Sequence, residues 1–244
     1  FTIALLVGLS YLRHLYKGTP FAITWKRVLL HLGYLNAFFD PNSWLSPVFW
    51  TLAIEFQYYL MIGLLYPLVS SKKRIYRIMV LALLASTTLL TQSETLVPHY
   101  MFLFIIGIGL YLHKRGLTGR MEFLSIMLVS VIGVALSIDV LHSLVAVTAV
   151  AVMATVRWRS VITDFLGDIS YSFYLMHAPV TVIILKFGVP LFSSQIARTF
   201  VIIGGIGVSV FAAWIVYKFI EGPSHKLSKS IKYASSRKAA DIHR

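Results

Sequence analysis

Long apolar runs alternate with short polar segments along almost the whole chain. The apolar runs are residues 1–12, 28–39, 47–69, 78–90, 99–113, 121–138, 141–156, 165–186 and 196–220. A helix of about 20 predominantly apolar residues crosses a bilayer, and the longer runs reach this length. The pattern therefore predicts an all-α, polytopic transmembrane helix bundle with about nine crossings. Run 1–12 is too short to cross, and we interpret it as the cut end of a longer helix. Run 28–39 is marginal in length and could lie at the membrane interface.

Basic residues cluster on alternate connecting segments. They fall near residues 13–27, 70–77, 114–120 and 157–164, and in the C-terminal tail. Because Lys and Arg accumulate in cytoplasmic loops, these segments and the C terminus are predicted to be cytoplasmic. The alternation holds only if run 28–39 crosses. Residues 1–226 are predicted to form one membrane domain, and residues 227–244 a basic, disordered cytoplasmic tail.

Composition supports the membrane class and excludes several others. Hydrophobic residues make up 58% of the 244 residues and charged residues only 13%, and the mean hydropathy is +0.79, unlike a soluble domain. The net charge of +13 lies in the loop clusters, which favours anionic lipid head groups over nucleic acid as a partner. The chain has no Cys, and its His residues lack the spacing of metal ligands, so no metal site is predicted.

One carboxylate, Glu55, lies inside the apolar run 47–69. An ionised group at that depth costs several kcal/mol unless it is paired or faces a polar cavity, so Glu55 is predicted to be functional. The alternative is structural: Glu55 could be protonated, or paired with a cation that only fixes helix packing.

A second candidate, His177, lies in run 165–186, on a polar stripe with Tyr174 and close to Pro179. Counting about 1.5 Å per residue, Glu55 and His177 lie at similar depths, roughly 12 Å from the outer ends of their helices. They are the two groups predicted to act as an acid–base pair. A satisfied packing histidine is the alternative for His177.

Three stretches resemble one known family. The segment WTLAIEFQYYLMIGLLYPLV (residues 50–69) is similar to the signature of the bacterial integral-membrane acyltransferase family three, the polysaccharide and lipopolysaccharide O-acetyltransferase type. LGDISYSFYLMHAPV (166–180) and VYKFIEGPSHK (216–226) resemble the same family, in the same order. The resemblance implies transfer of an acyl group, usually acetyl, from a coenzyme A thioester to a hydroxyl of a cell-envelope glycan at the bacterial inner membrane. No bound cofactor is expected, and the partners would be the acyl donor, a carbohydrate or glycolipid acceptor and membrane lipids.

The resemblance also suggests roles for individual residues. The candidate catalytic residues are Glu55 and His177; the candidate substrate-binding residues are Trp50, Gln57, Tyr58, Tyr171 and Tyr174. A sugar hydroxyl is a weak nucleophile, so its acylation needs a base, for which an imidazole oriented by a carboxylate is suited.

The resemblance implies an Arg and a catalytic His on a helix that would precede Phe1, and the adjacent Arg13 and His14 do not match that pair. We therefore expect the chain to lack the N-terminal part of the domain, with His177 as the backup base. Glu221, just before Pro223, is interpreted as the end of a helix.

Two other classes of function remain open from the residues. One is a transporter or flippase of polar lipid-linked sugars, in which Glu55 and His177 would form a proton relay. The other is a non-catalytic membrane remnant that binds a partner.

Overall fold

The helices of the protein follow the apolar runs closely. The computed structural model describes residues 24–42, 44, 48–91, 93–156 and 159–230. These residues form α-helices joined by short 3-10 and π turns, with no strand among them, which confirms the all-α prediction. The described α-helices are α1 (Trp25–Leu32), α2 (Asn36–Phe39), α3 (Phe49–Val69), α4 (Arg74–Ser86), α5 (Met101–Lys114), α6 (Arg120–Ser137), α7 (Val140–Thr155), α8 (Val161–Ile183), α9 (Gln195–Val216) and α10 (Gly222–Ser230).

Within the described residues, four helical stretches are long and apolar enough to cross a membrane. They are Phe49–Val69, Arg120–Ser137, Val161–Leu191 and Gln195–Ser230; α7 is apolar but shorter. The membrane class is thus confirmed, whereas these residues do not support a count of nine crossings. The predicted helix stub 1–12 lies outside the described residues, as does most of the predicted tail, residues 231–244.

Run 28–39 does not form one continuous helix. Helix α1 ends at Leu32, and Tyr34 has a left-handed backbone with φ 54. The N–H of Tyr34 donates to the carbonyl of His31 at 3.2 Å, and that of Leu35 to the carbonyl of Leu30 at 2.8 Å. This pair of bonds is the Schellman motif, which ends a helix and turns the chain. The run is therefore divided between α1 and the four-residue helix α2.

The chain packs as two compact units, which we describe separately. Of the described residues, one unit comprises those within 24–156, and the other 159–230. We call them the α1–α7 unit and the α8–α10 unit.

The core of the α1–α7 unit is centred on α5. Met101 and Leu112 are completely buried there, packed with Leu84 of α4 and Val69 of α3. Helices α5 and α6 approach closely at Gly133, where a Cβ atom would lie 2.5 Å from the ring of Phe102. Because glycine has no Cβ, the Phe102 ring can lie directly against the α6 backbone.

In the α8–α10 unit, α8 packs against α9. Small residues make the contact face of α9: Gly205, Ser209 and Ala213 are buried at four-residue intervals. Each long helix is followed by a π turn, Ile184–Gly188 after α8 and Tyr217–Glu221 after α9. Such π turns are rare and occur often at functional sites.

Candidate active-site residues

Glu55 has a phenol as its hydrogen-bond partner. It lies on α3, and Tyr59, one turn further along the same helix, donates its Oη hydrogen to Glu55 Oε1. Among the residues that the structure describes, no Lys, Arg or His forms an ion pair with Glu55. The alternative in which a cation pairs with Glu55 to fix packing therefore has no support in the described part of the chain.

A second tyrosine, Tyr34, lies near the same carboxylate. Its ring stacks on Phe56 of α3, with ring centroids 5.0 Å apart. Tyr34 is half-buried and lies within electrostatic range of Glu55. Its phenol is a hydrogen-bond donor at neutral pH, as an ordinary tyrosine is. Sequence reasoning missed Tyr34, because a left-handed tyrosine in the middle of run 28–39 is not predicted by the sequence.

Three predicted substrate-binding residues of α3 contact α5 or the segment that leads into it. The amide of Gln57 donates to the Thr95 carbonyl at 3.3 Å and accepts from the Val97 N–H at 3.1 Å. Tyr58 stacks on Phe104, with centroids 4.1 Å apart, and Trp50 lies 6.2 Å from Tyr100. Each side chain thus has a packing or tethering role, and its role in substrate binding stays a prediction.

Two buried polar side chains near α2 were not identified from the sequence. The Nδ1–H of His31 donates to the Arg27 carbonyl at 2.7 Å, and the imidazole meets the rings of Trp44 and Phe49 edge-on. Asn36 is completely buried, and neither its Oδ1 nor its Nδ2 has a hydrogen-bond partner among the described residues. A buried polar group without a partner costs about 1–3 kcal/mol, so Asn36 is a candidate for a ligand contact.

His177 in the α8–α10 unit is held at one ring nitrogen by its own helix. Its Nδ1 lies 2.6 Å from the Tyr174 carbonyl oxygen, which can only accept, so Nδ1 carries the hydrogen. In the neutral ring Nε2 is then the acceptor, the atom that a general base uses. The ring also lies 5.5 Å from that of Tyr174, while Tyr171 is half exposed on the same helix.

Glu221 is not at a helix end, so that interpretation was wrong. The helical stretch is uninterrupted from Gln195 to Ser230, so Glu221, the last residue of the π turn, lies inside it and the chain stays helical through Pro223. Glu221 Oε2 accepts a hydrogen bond of 2.5 Å from Ser172 of α8, whose side chain is fully buried. Glu221 Oε1 also lies 3.6 Å from Nε2 of His225. The carboxylate thus joins the π turn after α9 to α8, the helix that carries His177.

Comparison with known proteins identifies the family. The model of the acyltransferase domain that defines acyltransferase family three matches residues 1–218. The chain belongs to this family. Neither a curated protein nor a solved structure matches the acyltransferase significantly. The matched region includes Glu55 and His177 and ends just before Glu221, so the domain match alone does not draw attention to the Ser172–Glu221 bond.

The candidate groups of the acyltransferase are divided between the two units. Glu55, Tyr59 and Tyr34 form one cluster in the α1–α7 unit, which we call the Glu55 cluster. Also on α3, Trp50, Gln57 and Tyr58 contact α5 or the segment that leads into it. His177, Tyr171 and Tyr174 lie in the α8–α10 unit. The pairing of Glu55 with His177 and their matching depth stay predictions, and Arg13 and His14 lie outside the described residues.

Proposed function

We propose that this membrane acyltransferase moves an acetyl group from acetyl-coenzyme A to a hydroxyl of a cell-envelope glycan. Membership of the family supports acyl transfer from a donor to an acceptor. The observation that carries the proposal for a site is the Glu55 cluster, a carboxylate within a membrane helix that is hydrogen-bonded by a tyrosine. Coenzyme A is a co-substrate in this scheme, and no cofactor is bound.

The transfer needs a base and a group to position the acceptor. The hydroxyl oxygen of the sugar attacks the thioester carbonyl, forms the new ester bond and displaces the coenzyme A sulfur. The hydroxyl proton passes to an imidazole and from it to the leaving thiolate. Glu55 accepts hydrogen bonds from the sugar, while Tyr59 fixes the carboxylate. Tyr34 supplies a protonated donor beside it. His177, with Nε2 as its acceptor, is the candidate base within the described residues.

The proposed setting is the bacterial inner membrane, with the C terminus in the cytoplasm. Lys72 and Lys73, in the connection after α3, and Arg74, at the start of α4, are all exposed, as expected near a cytoplasmic loop. Nine crossings require residues 28–39 to pass the membrane as two short helices joined at Tyr34. Broken helices of this kind are tolerated where protein or water surrounds them. The membrane domain would comprise residues 1–226 and the basic tail residues 227–244.

The test is label transfer from radioactive acetyl-coenzyme A to envelope glycan, in membranes of cells that express the complete gene. We expect Glu55→Gln to lower incorporation by about 100-fold or more at unchanged protein level, in the range of a lost acid–base function. Glu94→Gln is the matched control, because Glu94 is exposed in a loop. Release of the label by mild alkali identifies an O-ester.

Two outcomes would contradict the proposal. Full incorporation by Glu55→Gln removes Glu55 from the site. If membranes with well-folded protein incorporate no label from any common acyl donor but move lipid-linked sugar with protons, the protein acts as a transporter instead.

A further inference from the structure

A cleft of about 250 Å³ lies between α4, α5 and α6, within the α1–α7 unit. Its interior is apolar, and the residues that form its walls include Leu81, Ala85, Phe102, Ile105, Ile126 and Ser130. None of these residues belongs to the Glu55 cluster. At about 30 Å³ for a water-sized group, the space suffices for roughly eight methylene-sized groups of a hydrocarbon chain.

A charged group stands at one end of this cleft. Arg77 is buried, and its Nη2 donates hydrogen bonds to both carboxylate oxygens of Glu122, at 3.0 and 3.1 Å. Its other terminal nitrogen donates to the carbonyls of Ser71 and Lys72 at 2.8 and 3.2 Å. Glu122 is therefore neutralised by Arg77. Both terminal nitrogens of the arginine are engaged by this contact and by the chain before α4, while its buried Nε has no partner among the described residues.

Arg74 remains as an exposed cation at the same end. It lines the cleft, its side chain is 69% exposed, and its Nε lies 3.8 Å from the carboxylate already held by Arg77. Lys72 and Lys73, directly before it, are also exposed. The end of the cleft is thus positively charged in spite of Glu122.

The cleft also opens sideways, away from the helix ends. Ile78 and Ala82 of α4 and Val129 of α6 line it and are themselves exposed. In a membrane protein, the surroundings of such an apolar helix flank are lipid chains. A ligand that enters from the bilayer can therefore slide in along α4 without passing through the aqueous phase.

We propose that this cleft is a binding site for an anionic phospholipid. One acyl chain occupies the apolar space, and the phosphate lies against Arg74, Lys72 and Lys73. Charge complementarity at the end and the lateral opening both favour a lipid of the surrounding membrane over a soluble ligand. The site is independent of the acyl-transfer chemistry proposed above.

Native mass spectrometry of the purified full-length protein tests this site, with phosphatidylglycerol and phosphatidylcholine of equal chain length as probes. We expect phosphatidylglycerol to be retained more strongly. Ala85→Phe, which fills the cleft, should abolish the difference, whereas Ala149→Phe on the exposed side of α7 should not. Arg74→Gln should weaken phosphatidylglycerol binding about fivefold, the equivalent of about 1 kcal/mol, with Arg159→Gln as the exposed control.

Three results would overturn the proposal. The first is equal retention of both lipids by the wild-type protein. The second is unchanged phosphatidylglycerol binding in both Ala85→Phe and Arg74→Gln. The third is a different occupant of the cleft. Displacement of the bound lipid by palmitoyl-coenzyme A at a lower concentration than by competing lipid would indicate an acyl-coenzyme A. A dimer that Ala85→Phe abolishes would indicate a second copy of the chain.

Discussion

Removal of the Ser172 hydroxyl is expected to destabilise the α8–α10 unit more than its size suggests. The hydroxyl is fully buried and donates a 2.5 Å hydrogen bond to Glu221, whose side chain is only 13% exposed. A hydrogen bond to a charged group contributes about 1.5–3 kcal/mol, because its loss leaves the charge poorly solvated. We therefore expect Ser172→Ala to lower the free energy of unfolding by about that amount.

A matched serine on the same helix provides the control. Ser170 is exposed and bonds only the Gly167 carbonyl of its own helix, so Ser170→Ala should change stability by less than about 0.5 kcal/mol. Unfolding is measured in mixed micelles by titration with a denaturing detergent. A double-mutant cycle with Glu221→Gln should give a coupling within about 0.5–3 kcal/mol, as for residues in direct contact.

Equal effects of Ser172→Ala and Ser170→Ala, or additive effects in the cycle, would refute the reasoning. In that case the carboxylate is solvated by other groups, and the bond does not join the π turn to α8.

Three further predictions concern the α1–α7 unit. Gly133→Ala should destabilise the protein by about 1–3 kcal/mol in the same unfolding assay, because the new Cβ would overlap the Phe102 ring. Gly107→Ala, with no atom within 4 Å of its Cβ, is the control, and an equal cost of the two changes would contradict the packing argument. Asn36→Leu should raise the free energy of unfolding, since it removes a buried unpaired amide, and should lower acetyl transfer; unchanged transfer would remove Asn36 from the site. His142 lowers the pKa of Asp139, first through a hydrogen bond from its backbone N–H and then through one from its imidazole. The stabilisation by Asp139 is therefore complete above the ordinary Asp pKa and lost as pH falls through the lowered value. Wild type and Asp139→Asn should differ in melting temperature at neutral pH and converge in acid, and a constant difference would exclude this titration.

The sequence was sufficient to locate the long helices. The run 47–69 became Phe49–Val69, and 121–138 became Arg120–Ser137, because apolar length alone defines such elements in a membrane protein. The break within run 28–39 was not predicted, because it depends on the left-handed backbone of Tyr34. That conformation is unusual for a residue other than glycine, and no propensity rule predicts it there.

The candidate site was less accessible to sequence reasoning. Glu55 was identified because a charged residue within an apolar run can be recognised from the sequence alone. The position of Tyr34 within electrostatic range of Glu55 and the Ser172–Glu221 bond were missed. Hydrophobic periodicity indicates which face of a helix is buried but not which distant residue packs against it. Ser172 and Glu221 are 49 positions apart, and only the packed structure relates them.

The left-handed turn at Tyr34 has a consequence for engineering the enzyme. Glycine would adopt this backbone without the penalty of about 1–3 kcal/mol that such a conformation carries for other residues. Selection for heat resistance alone should therefore favour glycine or asparagine at position 34, and would discard the phenol beside Glu55. At position 34, thermal stability and catalysis are expected to favour different residues. Stabilising substitutions should therefore leave Tyr34 unchanged and be made at exposed helix positions far from the Glu55 cluster.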